Sequence, residues 1–239
     1  MGKYKIYPLH LGTITRPKSQ LVATDKSGLV IDIPILAWYV TDGEHKILID
    51  TGGTPPDGVH FMPYVRPEEQ SLEASLNRLG VATDEIDTVI LTHLHWDHGG
   101  CMTIFPKAKF YVQRSELHYA IDPLPTQKGN YDLRRVFAVD YEILDGDCEV
   151  LDGISVVLSP GHSNGHQCVI VDTEAGPYLV LGDMVNLLEA WEADPPIANG
   201  YHVSLLDYHN SFKKLKKLKV SYVLAGHDPT VLEHKVYPF

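Results

Sequence analysis

Cysteine is scarce in this sequence. Cys101, Cys148 and Cys168 stand far apart among 239 residues, so no disulfide framework is available and a reducing compartment, the cytoplasm, is expected. Long apolar runs are also missing: none approaches the ~20 residues that a membrane helix needs. The opening Met1-Gly2-Lys3-Tyr4-Lys5-Ile6 has no apolar core of signal-peptide length, so neither export nor a membrane partner is indicated. Positive charge is in deficit, with 20 basic against 31 acidic side chains and a formal net charge of −11. That removes the general attraction of phosphate backbones, and no nucleic-acid partner is expected. Low-complexity tracts, short repeats and linker-like stretches are absent, so residues 1–239 read as a single domain. What remains, 44% apolar and 21% charged, is an ordinary globular balance.

The pattern along the chain favours strands. Residues 31–40 form a long apolar run, and Thr41-Asp42-Gly43-Glu44 supplies turn chemistry before a second strand at 46–50. A loop rich in proline and aromatics follows Gly52-Gly53. Leu72, Leu76 and Leu79 recur at helical spacing over 69–79, with Gly80 where a helix C-terminus closes. Val89–Leu91 and Phe110–Val112 read as short buried strands, and Ser115–Ala120 as a helix. Residues 121–140 resemble an insertion or lid rather than core. Strand signals recur at 141–144, 148–151, 154–158, 167–172 and 178–181. The strongest helix spans 203–219, capped by Ser204, with Tyr208, Phe212 and Leu215 inside and a lysine-rich solvated face. A last strand, 220–225, runs into Gly226-His227-Asp228. Many strands with few covering helices predict an α/β protein of layered sheets.

Histidine is what the sequence has in surplus. The stretch Thr92-His93-Leu94-His95-Trp96-Asp97-His98-Gly99-Gly100 puts four metal-ligating side chains into six residues just beyond a buried strand. Neutral imidazole and carboxylate suit zinc and similar divalent ions. Four ligands are too many for one catalytic zinc that keeps a position open, so two metals are expected. Glycines 99 and 100 let the backbone turn away sharply. Three more candidates each follow a strand and a glycine: His162, Asp183 and His227. His166 is read as a supporting residue rather than a ligand. His10, His45, His60, His118, His202, His209 and His234 lack such a context. Phe61, Met62, Tyr64, Trp191, Ile197 and Tyr201 are candidates to line an apolar channel.

The phrase His93-x-His95-x-Asp97-His98, with His162, Asp183 and His227, resembles the metallo-β-lactamase superfamily across nearly the whole chain. Within it, Thr92–Gly100, Tyr111–Glu116, Ser159–Gln167 and Gly226–Asp228 resemble N-acyl homoserine lactone lactonases. That likeness implies a four-layer αββα sandwich. It also implies one metal on His93, His95 and His162, a second on Asp97, His98 and His227, Asp183 bridging them, and Asp50 as support. Zinc is the expected metal, with iron, manganese or cobalt as substitutes. One departure stands out: where these lactonases commonly carry a tyrosine that polarises the substrate carbonyl, this chain has Asn186. Trp96 likewise occupies a position where phenylalanine is common. The favoured reaction is opening of a small lactone by a metal-bridging hydroxide. Asp97 would relay the proton, and Asn186 or His202 would contact the carbonyl. The competing readings are a related hydrolase for another lactone, ester, amide or phosphoester, and a mononuclear-iron sulfur dioxygenase. A monomer or homodimer is expected in either case.

Overall fold

Between Ile33 and Val40 every residue is buried, which requires a covering layer on each face of that strand. Leu36, Trp38 and Val40 enter one apolar cluster, whereas Ile33, Ile35, Ala37 and Tyr39 enter another, as the two-residue period of a strand dictates. The computed structural model describes residues 4–54 and 63–239 and shows what those layers are.

The first seven strands are β1 (Lys5–Pro17), β2 (Val30–Thr41), β3 (Lys46–Ile49), β4 (Tyr64–Val65), β5 (Thr88–Ile90), β6 (Lys109–Gln113) and β7 (Tyr141–Leu144). They form one sheet in the order β4-β1-β2-β3-β5-β6-β7. It is antiparallel from β4 to β3 and parallel from β3 onward. The second sheet holds β8 (Cys148–Leu151), β9 (Ile154–Leu158), β10 (Gln167–Thr173), β11 (Gly176–Val180) and β12 (Tyr222–Leu224) in the order β12-β11-β10-β9-β8. The helices are α1 (Lys18–Leu21), α2 (Leu72–Arg78), α3 (Arg114–Ile121), α4 (Leu133–Val136), α5 (Leu188–Glu192) and α6 (Leu205–Leu215).

The sheets meet through one apolar cluster. Trp38, Val40, Ile47, Ile49 and Ile90 come from the first sheet, and Val156, Val169, Val171, Val180 and Leu224 from the second. The opposite faces, including Leu48 and Val89 on one sheet and Val157, Cys168 and Leu179 on the other, share the second cluster with helical side chains. Those are Leu72 and Leu76 of α2 and Tyr208, Phe212 and Leu215 of α6. Each such side chain contributes roughly 1.5–3 kcal/mol by leaving water. The result is the αββα sandwich. Among the described residues no helix is long and apolar enough to cross a membrane.

Three expected elements change in extent. The helix expected over 69–79 runs from Leu72, because the Ser71 hydroxyl accepts from Ala74 N at 3.2 Å and starts it there. The one expected over 203–219 keeps its Ser204 cap but closes at Leu215. Lys217 N and Leu218 N bond back three residues, to Lys214 and Leu215, which tightens the last turn. Its lysine face is only partly solvated, since Lys216 Nζ sits 3.8 Å over the Trp191 ring and Lys214 Nζ donates to the Leu158 carbonyl. The segment 121–140 does lie over the site, yet it also buries Asn130, Tyr131 and Val136.

Strand direction positions the chemistry. β3 and β5 are parallel, as are β11 and β12, and β9 runs in the sense of β11 because β10 opposes both. The loops after these five strands therefore gather at one edge, where α/β folds place ligands.

Candidate metal centre

All seven candidate side chains lie at that edge, none more than 8% exposed. Ligand-type atoms of His93, His95 and His162 lie within 4.8 Å of one another, and so do those of Asp97, His98 and His227. Asp183 stands between the groups. Its Oδ2 is 3.3 Å from His162 Nε2, while its Oδ1 is 3.1 Å from His98 Nε2 and 3.0 Å from His227 Nε2. Asp97 Oδ2 is 4.0 Å from His98 Nε2 and 3.9 Å from His227 Nε2.

Local structure aims the rings. Asp50 follows β3 with φ +60°, and its carboxylate accepts from Thr92 N at 2.7 Å and from the Thr92 hydroxyl at 2.8 Å. It also accepts from His98 Nδ1–H at 2.7 Å. The Thr92 proton is thereby used, so Thr92 Oγ1 accepts from His93 Nδ1–H at 3.1 Å. His162 Nδ1–H donates to the Tyr201 carbonyl at 2.9 Å and His227 Nδ1–H to the Pro34 carbonyl at 2.7 Å. Each of these rings then offers an unprotonated Nε2 to the centre. His95 differs in turning Nδ1 inward, 3.1 Å from His162 Nε2.

The donor set fits a dinuclear metal site. Among the described residues His93 Nε2, His98 Nε2 and Asp183 Oδ1 are buried with no hydrogen-bond partner, a costly state unless another group satisfies them. Burial holds His93, His95 and His162 below the ordinary imidazole range, in the neutral form that binds metals. Burial also disfavours charge on His98 and His227, but the neighbouring carboxylates, Asp183 foremost, outweigh it and raise both. Burial would likewise raise Asp183, but His227, His98 and His162 hold it well below the carboxylate range.

A further layer ties the loops together. Glu116 is fully buried, and burial raises its pKa against four donors. Its Oε1 accepts from Leu94 N at 3.0 Å and Tyr131 OH at 3.2 Å, and its Oε2 from Gly165 N at 3.0 Å and Ser163 OH at 2.6 Å. At Gly100 a Cβ would fall 2.3 Å from Thr54 N and 2.4 Å from the Trp96 carbonyl, so only glycine lets the histidine loop close there. Gly226 is similarly confined, 2.4 Å from the Gly182 carbonyl, which brings the Asp183 and His227 loops into contact.

A cavity of about 200 Å³ opens onto the centre, lined among others by His95, Asp97, Asn186, Tyr201, Arg16 and Ile33. Asn186 is buried, and among the described residues its Oδ1 has no hydrogen-bond partner. Tyr201 OH ties to the segment 121–140, accepting from Asn130 Nδ2 and donating to the Thr126 carbonyl. Several expected liners lie elsewhere. Trp191 packs on Phe212; Tyr64 packs edge-on to Trp96 and donates to the Leu11 carbonyl. His202 binds the Asn199 carbonyl and rests on Tyr208, away from the cavity. Phe61 and Met62 fall outside the described residues. His166 is no member of either donor group; its Nδ1 pairs with Ser159.

The family model of the metallo-β-lactamase superfamily matches residues 30–227. The chain belongs to that superfamily. An N-acyl homoserine lactonase from a Bacillus species is 29% identical over 94% of this chain and 93% of its own length. Among solved structures, a Bacillus thuringiensis AiiA variant with N-decanoyl-L-homoserine bound at its active site superposes with a TM-score of 0.86. It is 27% identical and is matched over 100% of this chain and 99% of that one. An N-acyl homoserine lactone hydrolase with N-hexanoyl-L-homoserine at its catalytic metal centre gives a TM-score of 0.86 at 26% identity, over 100% and 99% of the two chains.

Other groups around the centre of this superfamily member carry no signal in the sequence. The carbonyls of Pro34 and Tyr201 carry no side-chain signal. Glu116 and Arg16 each stand alone, with no ligand-type residue beside them in the sequence.

Proposed function

We propose that this chain is a dinuclear metal-dependent lactonase, residues 1–239 acting as one domain. N-acyl homoserine lactones are the leading substrates, and degradation of such quorum signals in the cytoplasm is the biological outcome. The observation that carries this reading is Asp183, which presents one oxygen to the His162 side and the other to His98 and His227, as a bridging ligand would. The relatives' names and the ring-opened products held by the two solved structures support the substrate class. His93, His95 and His162 would hold one ion, and Asp97, His98 and His227 the other. Zinc is favoured by this imidazole and carboxylate set, with iron, manganese or cobalt able to occupy it. Such ions supply Lewis acidity and an acidified water at neutral pH.

The chain's own residues then have definite work. Asp50 and the carbonyls of Pro34 and Tyr201 fix the ring orientations. Asp97, at the cavity wall, takes a proton from the attacking water and returns it to the alkoxide as the ring C–O bond breaks. The products are a carboxylate and a hydroxyl. The Asn186 amide faces the cavity and donates a hydrogen bond to the ester carbonyl, replacing a phenol with a shorter donor. A sulfur dioxygenase would need one ion only; the proximity of Asp97, His98 and His227 favours two. The oligomeric state on this reading is a monomer or homodimer.

Proton release from short- and long-chain acyl homoserine lactones and from γ-butyrolactone, with metal content measured beside it, tests the reading. Turnover abolished in His95→Ala is expected. A folded protein holding two ions and inert on every lactone would sink it.

A further inference from the structure

Resting on the lactonase reading, we infer that Arg16 is a built-in anchor for an anionic group, so that of two lactones of like shape this site favours the one that carries a carboxylate away from the ring ester. Arg16 lies near the end of β1, is only 9% exposed and lines the cavity that opens onto the metal centre. Among the described residues its guanidinium has no hydrogen bond and no ion pair, whereas every other arginine has one. Arg66 binds the Gly53 carbonyl, Arg78 Ser75, Arg114 Asp145, Arg134 and Arg135 Asp132.

A guanidinium does not escape burial by losing its proton, so with no protein partner Arg16 takes its acceptors from the cavity it lines, from water or from a ligand. Burial depresses the Arg16 pKa, and the opposing charges are those of Asp97 and Asp183. Both carboxylates already face the imidazole cluster, where two divalent ions would bring more positive charge than the pair neutralises. The loaded cavity is then cationic with Arg16 adding to the excess. A carboxylate matches the planar fork and its charge. The amide of an acyl homoserine lactone could accept a hydrogen bond there but would leave the charge uncompensated.

The test compares γ-butyrolactone γ-carboxylate with its neutral γ-carboxamide, a pair of nearly equal shape, on metal-loaded wild type, Arg16→Met and Arg16→Lys. In wild type the carboxylate should have the higher kcat/KM. The ratio of the two values should fall on the order of 10- to 100-fold in R16M, the range of a charge-assisted pair, and recover in part in R16K. A wild-type preference for the carboxamide, or a parallel loss of both substrates in R16M with the ratio unchanged, overturns the inference. Thermal melting of the metal-free proteins separates a structural role: R16M should melt at or above wild type, because an unpaired buried charge is removed. A clear fall would mean that a protein group already pairs with Arg16, and would also overturn it. If wild type hydrolyses neither lactone nor γ-butyrolactone, the lactonase reading fails. Calorimetric binding of the carboxylate to wild type against R16M then decides the anchor by itself, with equal binding refuting it.

Discussion

Glu116 makes no hydrogen bond to any of the seven candidate side chains, yet its removal should disassemble their loop. Each carboxylate oxygen accepts from one backbone N–H and one hydroxyl: Leu94 N and Tyr131 OH at Oε1, Gly165 N and Ser163 OH at Oε2. The hydroxyls can turn to other partners; the two backbone donors cannot. In Glu116→Gln, whichever way the amide is placed, its NH₂ faces one backbone N–H, so one bond to a buried donor is lost. That costs about 2 kcal/mol, within the usual range for an orphaned buried donor. Glu116→Ala orphans both, at about 4 kcal/mol. For a chain of this length each kcal/mol lowers Tm by roughly 2–4 °C, so the expected falls are about 6 °C and about 12 °C.

The assay is thermal unfolding of metal-loaded and EDTA-treated protein, with metal content by mass spectrometry. Leu94 lies between His93 and His95, and Ser163 and Gly165 follow His162 in its loop. Slackening this clamp should therefore also lower metal occupancy in E116A. An E116A protein melting within about 2 °C of wild type, with two ions retained, would refute the assignment of Glu116 as the clamp.

Other outcomes follow from the same geometry. Asp50→Asn removes the carboxylate that accepts from His98 Nδ1–H at 2.7 Å and should weaken metal binding about 10- to 100-fold, read by competition with a chelator. Asn186→Ala should lower kcat for lactones about 10-fold or more through loss of the cavity-facing donor, with metal content unchanged; unaltered kinetics would remove Asn186 from the reaction. Saturating the apo protein with zinc at about a thousand times the dissociation constant should stabilise it by about 4 kcal/mol, visible as a rise in Tm that a His93→Ala variant loses in large part. Gly100→Ala pushes a methyl group into Thr54 N and the Trp96 carbonyl and should yield a protein that folds poorly or binds no metal, whereas the less confined Gly99→Ala should be tolerated far better.

The parts of the centre legible in the sequence are those where several ligand-type residues crowd one loop. His93–His98 announces itself because no amphipathic period explains four such residues in six, and once it is read, glycine-preceded His162, Asp183 and His227 acquire weight. The apolar runs of β2, β9 and β11 mark strands that are buried in the layers. What the sequence does not display is anything contributed singly from a distant strand or by the main chain. The Pro34 carbonyl that orients His227 lies 193 residues from it, and any residue type except one altering the backbone path could stand there.

Arg16 shows the limit most sharply. In β1 the odd-numbered Leu9 and Leu11 share a cluster with the even-numbered Ile14, while Ile6 belongs to the inter-sheet core. The pairing with β2 slips between His10 and Thr13, where Gly12 adopts φ +110°. This bulge reverses which residues face which side. Counted by twos from Ile6, Arg16 would fall on the inter-sheet face, an untenable place for a guanidinium at a strand end, and so reads as an exposed terminus. Counted from Ile14 after the bulge, it points with Ile14 into the cavity beside Asp97. One glycine-borne bulge, invisible to any two-residue count, thus turns an unremarkable arginine into the only unpaired guanidinium among the described residues, at the mouth of the metal centre.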